Sequence, residues 1–384
     1  MYGRGEVVGE IVQNCRAERL TAVVSGPGMG VTSLLYAGIA PALKRAGFIV
    51  ATFSDWQGHS FAVHLKEAIA EAVRESADPG FLAGSESLDE MLDRVRSRTG
   101  SPVAILLDQF EDYIRCHTNT VASDFFDAEL AHAVIDRKGV FVIGLQEYAI
   151  PAFRRMEAHI PNLLGFQIRL APLDAEAARA AVVSEARAME MDVEPAALDA
   201  LVSAPMVVRD TGKAHPFFLK LATGRLLEAE TRLKSRVLRF STIALNGDVD
   251  RVILESFDAP IGDLRKTETD LLFRWCRLLF SPTGQRLAVT EKGLTDYAGK
   301  LNRFVPSLLP LLLETNILRA VETPGAVRYE IARECFTPIL RDWWDRREAG
   351  ILARRRATFR ITSISVALSS IVVLYVMWLL FSRK

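Results

Sequence analysis

Residues 20–35 read LTAVVSGPGMGVTSLL, an apolar run that ends in a glycine cluster and is followed by a helix-forming segment. The run at 20–25 is short and rich in β-branched residues, as buried strands are. The cluster from Gly26 to Gly30 lets the backbone turn tightly and approach a ligand closely. Because the N–H groups that open a helix attract anions, the stretch predicts a strand, a phosphate-binding loop and a helix.

The loop matches the phosphate-binding pattern GxxxxGK[ST] only in part. Gly30 and Thr32 occupy the sixth and eighth positions, whereas Ser25 and Val31 stand in place of the first glycine and the lysine. That lysine normally contacts the β- and γ-phosphates, and residues 25–33 contain no Lys or Arg that would replace it. The candidate phosphate-binding residues are Gly26, Gly28, Gly30, Val31, Thr32 and Ser33.

Four more continuous apolar runs follow, each short enough for a strand. They are residues 48–53 (FIVATF), 102–107 (PVAILL), 139–144 (GVFVIG) and 165–170 (GFQIRL). Helical patterns separate these runs. Continuous apolar strands that alternate with helices are typical of a parallel sheet covered on both faces. We therefore predict an α/β fold with the parallel sheet of a P-loop NTPase.

The third of these five runs continues into Asp108-Gln109-Phe110-Glu111-Asp112. An aspartate directly after a strand lies at the carboxyl edge of the sheet, where Mg²⁺ is held beside a phosphate loop, with Thr32 as the other protein contact. Glu111 could orient or deprotonate a hydrolytic water as a catalytic residue. The alternative is that Asp108 only caps the next helix.

The remaining chain predicts further units around this domain. From residue 173 the pattern is helical and rich in alanine, and from about 265 to 344 helices are closed by a small hairpin, as in a winged helix. The predicted boundaries are 1–172 for the P-loop domain, 173–245 for a helical lid, 246–345 for a winged-helix domain, 346–360 for a basic juxtamembrane helix and 361–381 for a transmembrane helix.

Residues 361–381 contain no charged side chain, and 21 residues suffice for a helix to cross a bilayer core. Arginines at 354–356 and 360 precede this segment. Because positive flanks stay on the cytoplasmic side, we expect a single pass through the inner membrane, with the body cytoplasmic and the C-terminus outside. No apolar leader follows Met1, so a tail anchor is expected. The alternative is a buried C-terminal core helix.

Composition and charge exclude several classes of protein. The 384 residues include 49% hydrophobic and 24% charged residues, which is a globular composition with room for two or three compact units. The net charge of zero combines +6 over residues 341–384 with −6 over the first 340. A mildly acidic body argues against a dedicated nucleic-acid binder. The four cysteines lie far apart, which argues against a disulfide scaffold or a zinc finger.

These motifs together resemble the STAND class of signalling P-loop NTPases, and in particular its bacterial novel STAND branch. Tyr2-Gly3-Arg4 is similar to the aromatic-x-Gly-Arg motif near the N-terminus of the family. GPGMGVTSLLYAGIAPAL at 26–43 resembles GPSGSGKSSLLRAGLLPAL, and DQFED at 108–112 resembles DQFEE. Later similarities are LAPL at 170–173, HPFF at 215–218 and YEIARE at 329–334.

The resemblance implies binding of ATP or ADP with Mg²⁺, with Pro216 packing near the adenine and with Arg4 and Arg333 as further candidates to contact the nucleotide. The alternatives are that Arg4 caps the N-terminal helix and that Arg333 is a surface residue. Three departures from the family concern polar contacts. Val31 replaces the loop lysine, Gln146 stands where the family has an arginine, and Arg333 stands where it has a histidine that senses the nucleotide. We therefore expect weak nucleotide binding and poor hydrolysis, because loss of a phosphate-contacting cation removes several powers of ten in rate.

Three functions follow from these observations. The first is a membrane-anchored, nucleotide-regulated switch that self-associates on activation and interacts with an unknown protein effector or sensor. The resemblance implies a role in bacterial conflict or defence signalling. The second is a non-enzymatic pseudo-NTPase that acts as a membrane scaffold. The third is a membrane-tethered DNA-binding regulator. Its candidate recognition helix at 306–316 contains no Lys or Arg, which disfavours DNA as a partner.

Overall fold

The computed structural model describes residues 3–332 except 59, 85, 118–120, 210–211, 263, 281–285, 316 and 324–325, and in addition 337, 340, 344–345 and 348–349. The predicted span at 361–381, together with Tyr2 and Arg333, lies outside the described residues. Among the residues that are described, no helix has both the length and the apolar character needed to cross a membrane.

A five-stranded parallel sheet forms the centre of the N-terminal part, and the five predicted strands are all present. The strands are β1 (Leu20–Ser25), β2 (Ile49–Phe53), β3 (Val103–Leu107), β4 (Val140–Gln146) and β5 (Gln167–Leu170). Their order is β2-β3-β4-β1-β5, and every neighbouring pair is parallel. Ser25 pairs with Gln146 and Leu107 with Ile143, so the glycine loop and Asp108 emerge at one edge of the sheet, with β4 between them.

Helices cover both faces of this sheet. Their bounds are α1 (Gly5–Ala17), α2 (Val31–Ser33), α3 (Ala40–Arg45), α4 (Phe61–Ser76), α5 (Leu88–Thr99), α6 (Phe110–Cys116), α7 (Val121–Ile135) and α8 (Ile150–Phe153). A π-helical segment, Leu34–Ile39, joins α2 to α3, so residues 31–45 form one continuous helix behind the glycine loop. Short 3₁₀ turns at Glu147–Ala149 and Arg154–Ala158 flank α8.

The apolar strands are explained by two separate cores, one on each face. Side chains alternate between the two faces of a strand. Ile105 and Leu107 of β3 pack on the side of α4 to α7, whereas Ala104 and Leu106 pack against α1 and the helix at 31–45. Every residue of β3 is therefore buried, and close-packed side chains support the sheet from both faces.

A helical unit follows the sheet. Its helices are α9 (Ala175–Ala188), α10 (Pro195–Ser203), α11 (Pro216–Arg232), α12 (Phe240–Leu245) and α13 (Val249–Gly262). Two short strand pairs accompany them, β6 (Asp192–Val193) with β9 (Val237–Leu238) and β7 (Val208–Arg209) with β8 (Lys213–Ala214). Buried alanines, among them Ala178 on α9 and Ala222 on α11, let these two helices pack closely.

The last described unit combines helices with a three-stranded antiparallel sheet. Its elements are α14 (Lys266–Leu279), β10 (Val289–Thr290), α15 (Glu291–Ala298), α16 (Val305–Glu314), β11 (Leu318–Thr323) and β12 (Ala326–Ile331), with a 3₁₀ segment at Gly299–Phe304. The strand order is β10-β12-β11. The predicted hairpin is present, since β11 and β12 pair in antiparallel register from Leu318 opposite Ile331 to Thr323 opposite Ala326.

Candidate functional site

The glycine loop connects the end of β1 to the helix at 31–45. Gly28 and Gly30 have φ angles of 74° and 89°, in the left-handed region that favours glycine. The helix begins directly after the loop, because the Leu34 N–H donates to the Gly30 carbonyl at 2.9 Å. The first N–H groups of a helix have no partner within it. The loop therefore presents backbone donors and a helix N-terminus to whatever occupies the sheet edge.

Val31 fills the position of the missing lysine with an apolar side chain. It is only 8% exposed and belongs to the core that contains Leu35 and Val142. A Cβ on Gly144 of β4 would lie 2.8 Å from Val31 Cγ1 and 3.0 Å from Leu35 Cδ1. Val31 thus packs directly on the backbone of β4, and the loop offers phosphate no cation of its own.

Asp108 follows β3 and is 2% exposed. Its backbone is fixed, because its N–H donates to the Phe53 carbonyl at 2.8 Å and its carbonyl accepts from the Trp56 indole at 2.7 Å. Oδ1 accepts from the Gln109 N–H at 2.9 Å, while Oδ2 has no hydrogen-bond partner among the described residues. Burial raises the pKa of the carboxyl, and Thr32 and Gln109 oppose this shift. A buried carboxylate oxygen without a partner, near a threonine hydroxyl, fits a Mg²⁺ ligand.

Glu111 is buried in α6, three residues beyond Asp108. Its Oε2 accepts a long hydrogen bond from the Gln146 N–H, at 3.3 Å. Burial, and then the neighbouring Asp112, raise the pKa of Glu111 to about 8, although Arg286 acts in the opposite direction. Burial therefore favours the protonated form of Glu111. A nearby positive charge would lower that pKa and favour the ionised form that acts as a base.

Two adjacent cavities lie above this edge of the sheet. The first, here called the loop cavity, has a volume of about 280 Å³. The second, the lid cavity, has a volume of about 420 Å³ and lies between the loop and helices α9 and α11. The two cavities share Met29, Gly30, Ser33, Pro216 and Lys220 in their walls.

The two cavities differ in chemistry. The loop cavity is lined by the backbone of the glycine loop and by Thr32, Asp108 and Glu111. The lid cavity has apolar walls that include Leu173 and Val182. Its polar side chains include Arg4, Glu185 and Thr223. A site with a polar end for phosphates and an apolar end for a base has the character of a nucleotide site.

The N-terminal segment and the lid are held against the loop by specific contacts. The Arg4 Nη2 donates to the Ala171 carbonyl at 2.5 Å. A Cβ on Gly3 would lie 2.2 Å from the Cβ of Ala177 in α9, so the chain passes very close to that helix. His215, just before α11, has its Nε2 3.1 Å from the Pro27 carbonyl oxygen. These contacts place Arg4 and Pro216 in the walls of the lid cavity.

Most of the residues predicted as a site are brought together. The loop cavity is lined by Gly28, Gly30, Val31, Thr32, Ser33, Asp108, Glu111 and Pro216, and the lid cavity by Arg4. Gly26 lies in the loop beside Ser25 but lines neither cavity. Arg333 is outside the described residues. Lys220, which lines both cavities, was not among the predicted residues, although its position four residues after Pro216 places it on the same face of a helix.

A group of five charged residues, built around the buried Asp112 and Glu330, joins α6 to the last unit. Asp112 receives hydrogen bonds from Arg319 at 2.8 and 3.1 Å, from Arg115 at 2.9 Å and from Arg286 at 3.3 Å. Glu330 of β12, which is 0% exposed, pairs with Arg319 at 2.7 Å, with Arg286 at 3.4 Å and with Arg115. We call these five residues the ionic cluster. It contacts the segment that carries Glu111, and sequence spacing gave no sign of it.

Comparison with known proteins supplies a family. The family model of Novel STAND NTPase 1 matches residues 1–362. No curated protein matches the chain. Among solved structures, the Aeropyrum pernix ORC2 protein in its ADP form is 14% identical, with 90% of this chain and 92% of that chain covered and a TM-score of 0.48.

Two further solved structures are similar over comparable lengths. The Aeropyrum pernix ORC1 protein in complex with DNA is 16% identical, with 88% and 91% of the two chains covered and a TM-score of 0.47. The Thermotoga maritima RuvB Holliday junction branch migration motor is 15% identical, with 88% and 95% covered and a TM-score of 0.38.

Proposed function

Because this chain belongs to the Novel STAND NTPase 1 family, we propose that it is a nucleotide-regulated switch that binds ATP or ADP with Mg²⁺ between the glycine loop and the lid. The observation that carries this proposal is the joined pair of cavities. One is polar and is lined by a helix N-terminus and by Asp108, and the other is largely apolar. Phosphates would occupy the first and the base the second, near Pro216.

Magnesium fits the residues at the sheet edge. Asp108 offers a buried oxygen without a partner in the described part of the chain, and Thr32 lines the same cavity. These two residues would supply two oxygen ligands, and phosphate and water oxygens would supply the others. When bound, Mg²⁺ neutralises phosphate charge and polarises the phosphoryl oxygens.

The chain's own residues argue for slow hydrolysis. Val31 brings no cation to the phosphates and is packed into the core. Glu111, the candidate for orienting or activating water, has a pKa raised to about 8 by burial and by Asp112. Removal of one phosphate-contacting cation commonly costs factors of about 10² to 10⁵ in rate. We therefore propose that bound nucleotide mainly sets a conformation.

The ionic cluster supports the switch. Asp112 is adjacent to Glu111, and its carboxylate is held by arginines that include Arg286 and Arg319 of the last unit. A ligand shifts an equilibrium only where it contacts the two states differently. Nucleotide at Asp108 and Glu111 changes the charge around α6, and it would thereby change how strongly the last unit is held.

Several parts of the proposal concern the C-terminal region and assembly. We propose that 246–345 is a winged-helix domain, which three helices and a three-stranded antiparallel sheet support. Residues 361–381 would anchor the chain in the inner membrane with its body in the cytoplasm. Release of the closed form would let chains associate and respond to a protein effector, in keeping with the role in bacterial conflict that the family resemblance implies.

A second candidate is a pseudo-NTPase that serves as a membrane scaffold without nucleotide control. The packing of Val31 against β4 favours it, because the side chain closes the place from which a loop lysine would reach the phosphates. This candidate differs from the switch in one measurable respect, which is that ATP and ADP would leave the protein's stability unchanged.

The test is thermal unfolding of the full chain, purified in a mild detergent, with ATP or ADP at millimolar concentration, with and without Mg²⁺. We expect a Mg²⁺-dependent rise in Tm, because a ligand that binds only the folded state stabilises it. Asp108→Ala should abolish the rise, whereas the exposed Asp296→Ala should keep it. Absence of any rise in the unmodified chain would leave the scaffold as the better account.

A further inference from the structure

The loop cavity would have to hold phosphates that carry several negative charges, beside two buried carboxyl groups. Asp108 and Glu111 both line it. A loop lysine would normally balance part of this charge, and Val31 stands in its place. The phosphates therefore need a cation from another part of the chain.

Lys220 is the one residue with a cationic side chain among the described residues that line the loop cavity. It also lines the lid cavity, so it lies where the two cavities meet. The side chain is exposed to the cleft. The ion pairs that lysines form in the described part of the chain involve Lys66, Lys138 and Lys292, and not Lys220. Its ammonium is thus available to a ligand.

The position of Lys220 follows from the way α11 begins. The helix starts at Pro216, where a proline costs no hydrogen bond, and His215 fixes this start to the glycine loop through its contact with Pro27. Residues three, four and seven apart share one face of a helix. Pro216, Lys220 and Thr223 accordingly all face the lid cavity.

We propose that Lys220 takes the place of the loop lysine and binds the β- and γ-phosphates from the lid side. The inference rests on the proposed function, since it assigns a residue to the same nucleotide. An ammonium on a flexible four-carbon stem is a strong donor to phosphate as a point charge. In this arrangement the phosphates bridge two units, the loop through its backbone and the lid through Lys220. The phosphates therefore contribute to closing the lid, together with the base in the lid cavity.

A competing role for Lys220 is a structural pair with Glu185 of α9. Glu185 also lines the lid cavity, and its Oε1 lies 3.8 Å from the point where a Cβ on Gly224 of α11 would be. Burial raises the pKa of Glu185, and Lys220 opposes this shift through its charge. If this pairing were the whole role of Lys220, removal of either partner would have the same effect.

The experiment measures the Kd of the full chain for ATP·Mg²⁺, ADP·Mg²⁺ and adenosine by competition with a fluorescent ATP analogue. Lys220→Ala should raise the Kd for ATP and for ADP by about tenfold or more, as expected for loss of a charge-assisted contact. The Kd for adenosine should not change. Lys220→Arg should retain affinity within about threefold. Glu185→Gln should change ATP affinity in the opposite direction, towards tighter binding, since it removes a negative charge from the cavity wall.

A charge relocation provides a second test. Val31→Lys in the Lys220→Ala background should restore most of the lost ATP affinity, because the cation returns to the loop. If the buried Val31 does not tolerate lysine and this double variant fails to fold, the comparison of alanine, arginine and Glu185→Gln still decides the matter.

The outcomes separate the inference from the proposed function. If the unmodified chain binds no nucleotide, the proposed function fails and the inference with it. If it binds and Lys220→Ala binds equally well, the inference alone is overturned. The inference would also be overturned if Lys220→Ala lost equal affinity for ATP and for adenosine, or if Lys220→Ala and Glu185→Gln lost equal affinity for ATP. Either result would make Lys220 a structural residue of the lid.

Discussion

Arg319 of β11 holds both carboxylate oxygens of Asp112, a residue 207 positions earlier in the chain, at 2.8 and 3.1 Å. Asp112 follows directly on Glu111, so one ion pair links the last unit to the segment that would face a nucleotide. Asp112 is only 4% exposed, whereas the Arg319 side chain is 23% exposed. Buried pairs contribute strongly only while all partners are present, since a lone buried charge is costly.

We predict that Asp112→Asn destabilises the protein by about 3–5 kcal/mol, the usual cost of breaking a buried pair, because Arg115, Arg286 and Arg319 then share one carboxylate. Thermal unfolding of the full chain measures the effect. Arg319→Lys should cost less, since it keeps the charge and loses only the paired geometry. The matched control is Asp296→Asn, which breaks an exposed pair with Lys292 and should cost less than about 1 kcal/mol. Equal losses in Asp112→Asn and Asp296→Asn would contradict the prediction.

Glu111→Gln should stabilise the protein in a pH-dependent manner. The pKa of Glu111 rises from 4.5 to about 8 on folding. Below pH 4.5 the carboxyl is protonated in both states, so the variant should match the parent. Between pH 4.5 and 8 only the unfolded chain releases the proton, and the parent therefore loses stability as pH rises.

The advantage of Glu111→Gln should accordingly be small at pH 4.5 and reach roughly 4 kcal/mol at pH 8, since one pKa unit corresponds to about 1.4 kcal/mol. Tm values across this range, without nucleotide or Mg²⁺, measure it. Glu10→Gln on the exposed surface of α1 serves as the control and should show no such trend. An advantage that does not change with pH would show that the Glu111 carboxylate is ionised in the fold.

Gly144→Ala should destabilise the protein by about 1–3 kcal/mol, the usual cost of overpacking. The added Cβ would lie 2.8 Å from Val31 Cγ1 and 3.0 Å from Leu35 Cδ1. Val31→Ala in the same chain should recover part of the loss by removing the closer contact. The control is Gly9→Ala in α1, where nothing lies within 4 Å and alanine should stabilise by about 0.5–1 kcal/mol. If the effects of Val31→Ala and Gly144→Ala on the free energy of unfolding were additive, the predicted contact between the two positions would be absent.

Thr223→Val should raise stability by about 1 kcal/mol, because the Thr223 hydroxyl is buried without a hydrogen-bond partner in the described part of the chain. Thr21→Val in β1 removes a second hydroxyl of this kind and is the matched control.

Of these two threonines, only Thr223 faces the lid cavity. If the Thr223 hydroxyl binds the base, Thr223→Val should lower the affinity for ATP by about three- to tenfold, whereas Thr21→Val should leave that affinity unchanged. Unchanged ATP affinity in both would exclude that contact.

The local elements of the site were predictable from the sequence. Five continuous apolar runs gave the five strands, because strands buried on both faces need apolar residues at every position. The glycine cluster and the aspartate after the third run gave the loop and the sheet edge, since both depend on short-range geometry. Thr32, Asp108 and Glu111 were therefore predictable from the sequence as members of one site, and they line one cavity.

The sequence by itself determined the α/β sheet, the partial phosphate loop and the candidate metal carboxylate. Only the tertiary structure decided that Val31 packs against β4, that Lys220 reaches both cavities, and that Asp112 joins Arg319 and Glu330. The physical reason is the distance along the chain over which each kind of interaction acts. Strand and loop signals repeat within a few residues, whereas a charge acts on whatever side chain folding brings within about 4 Å, and no spacing along the chain records which one that will be.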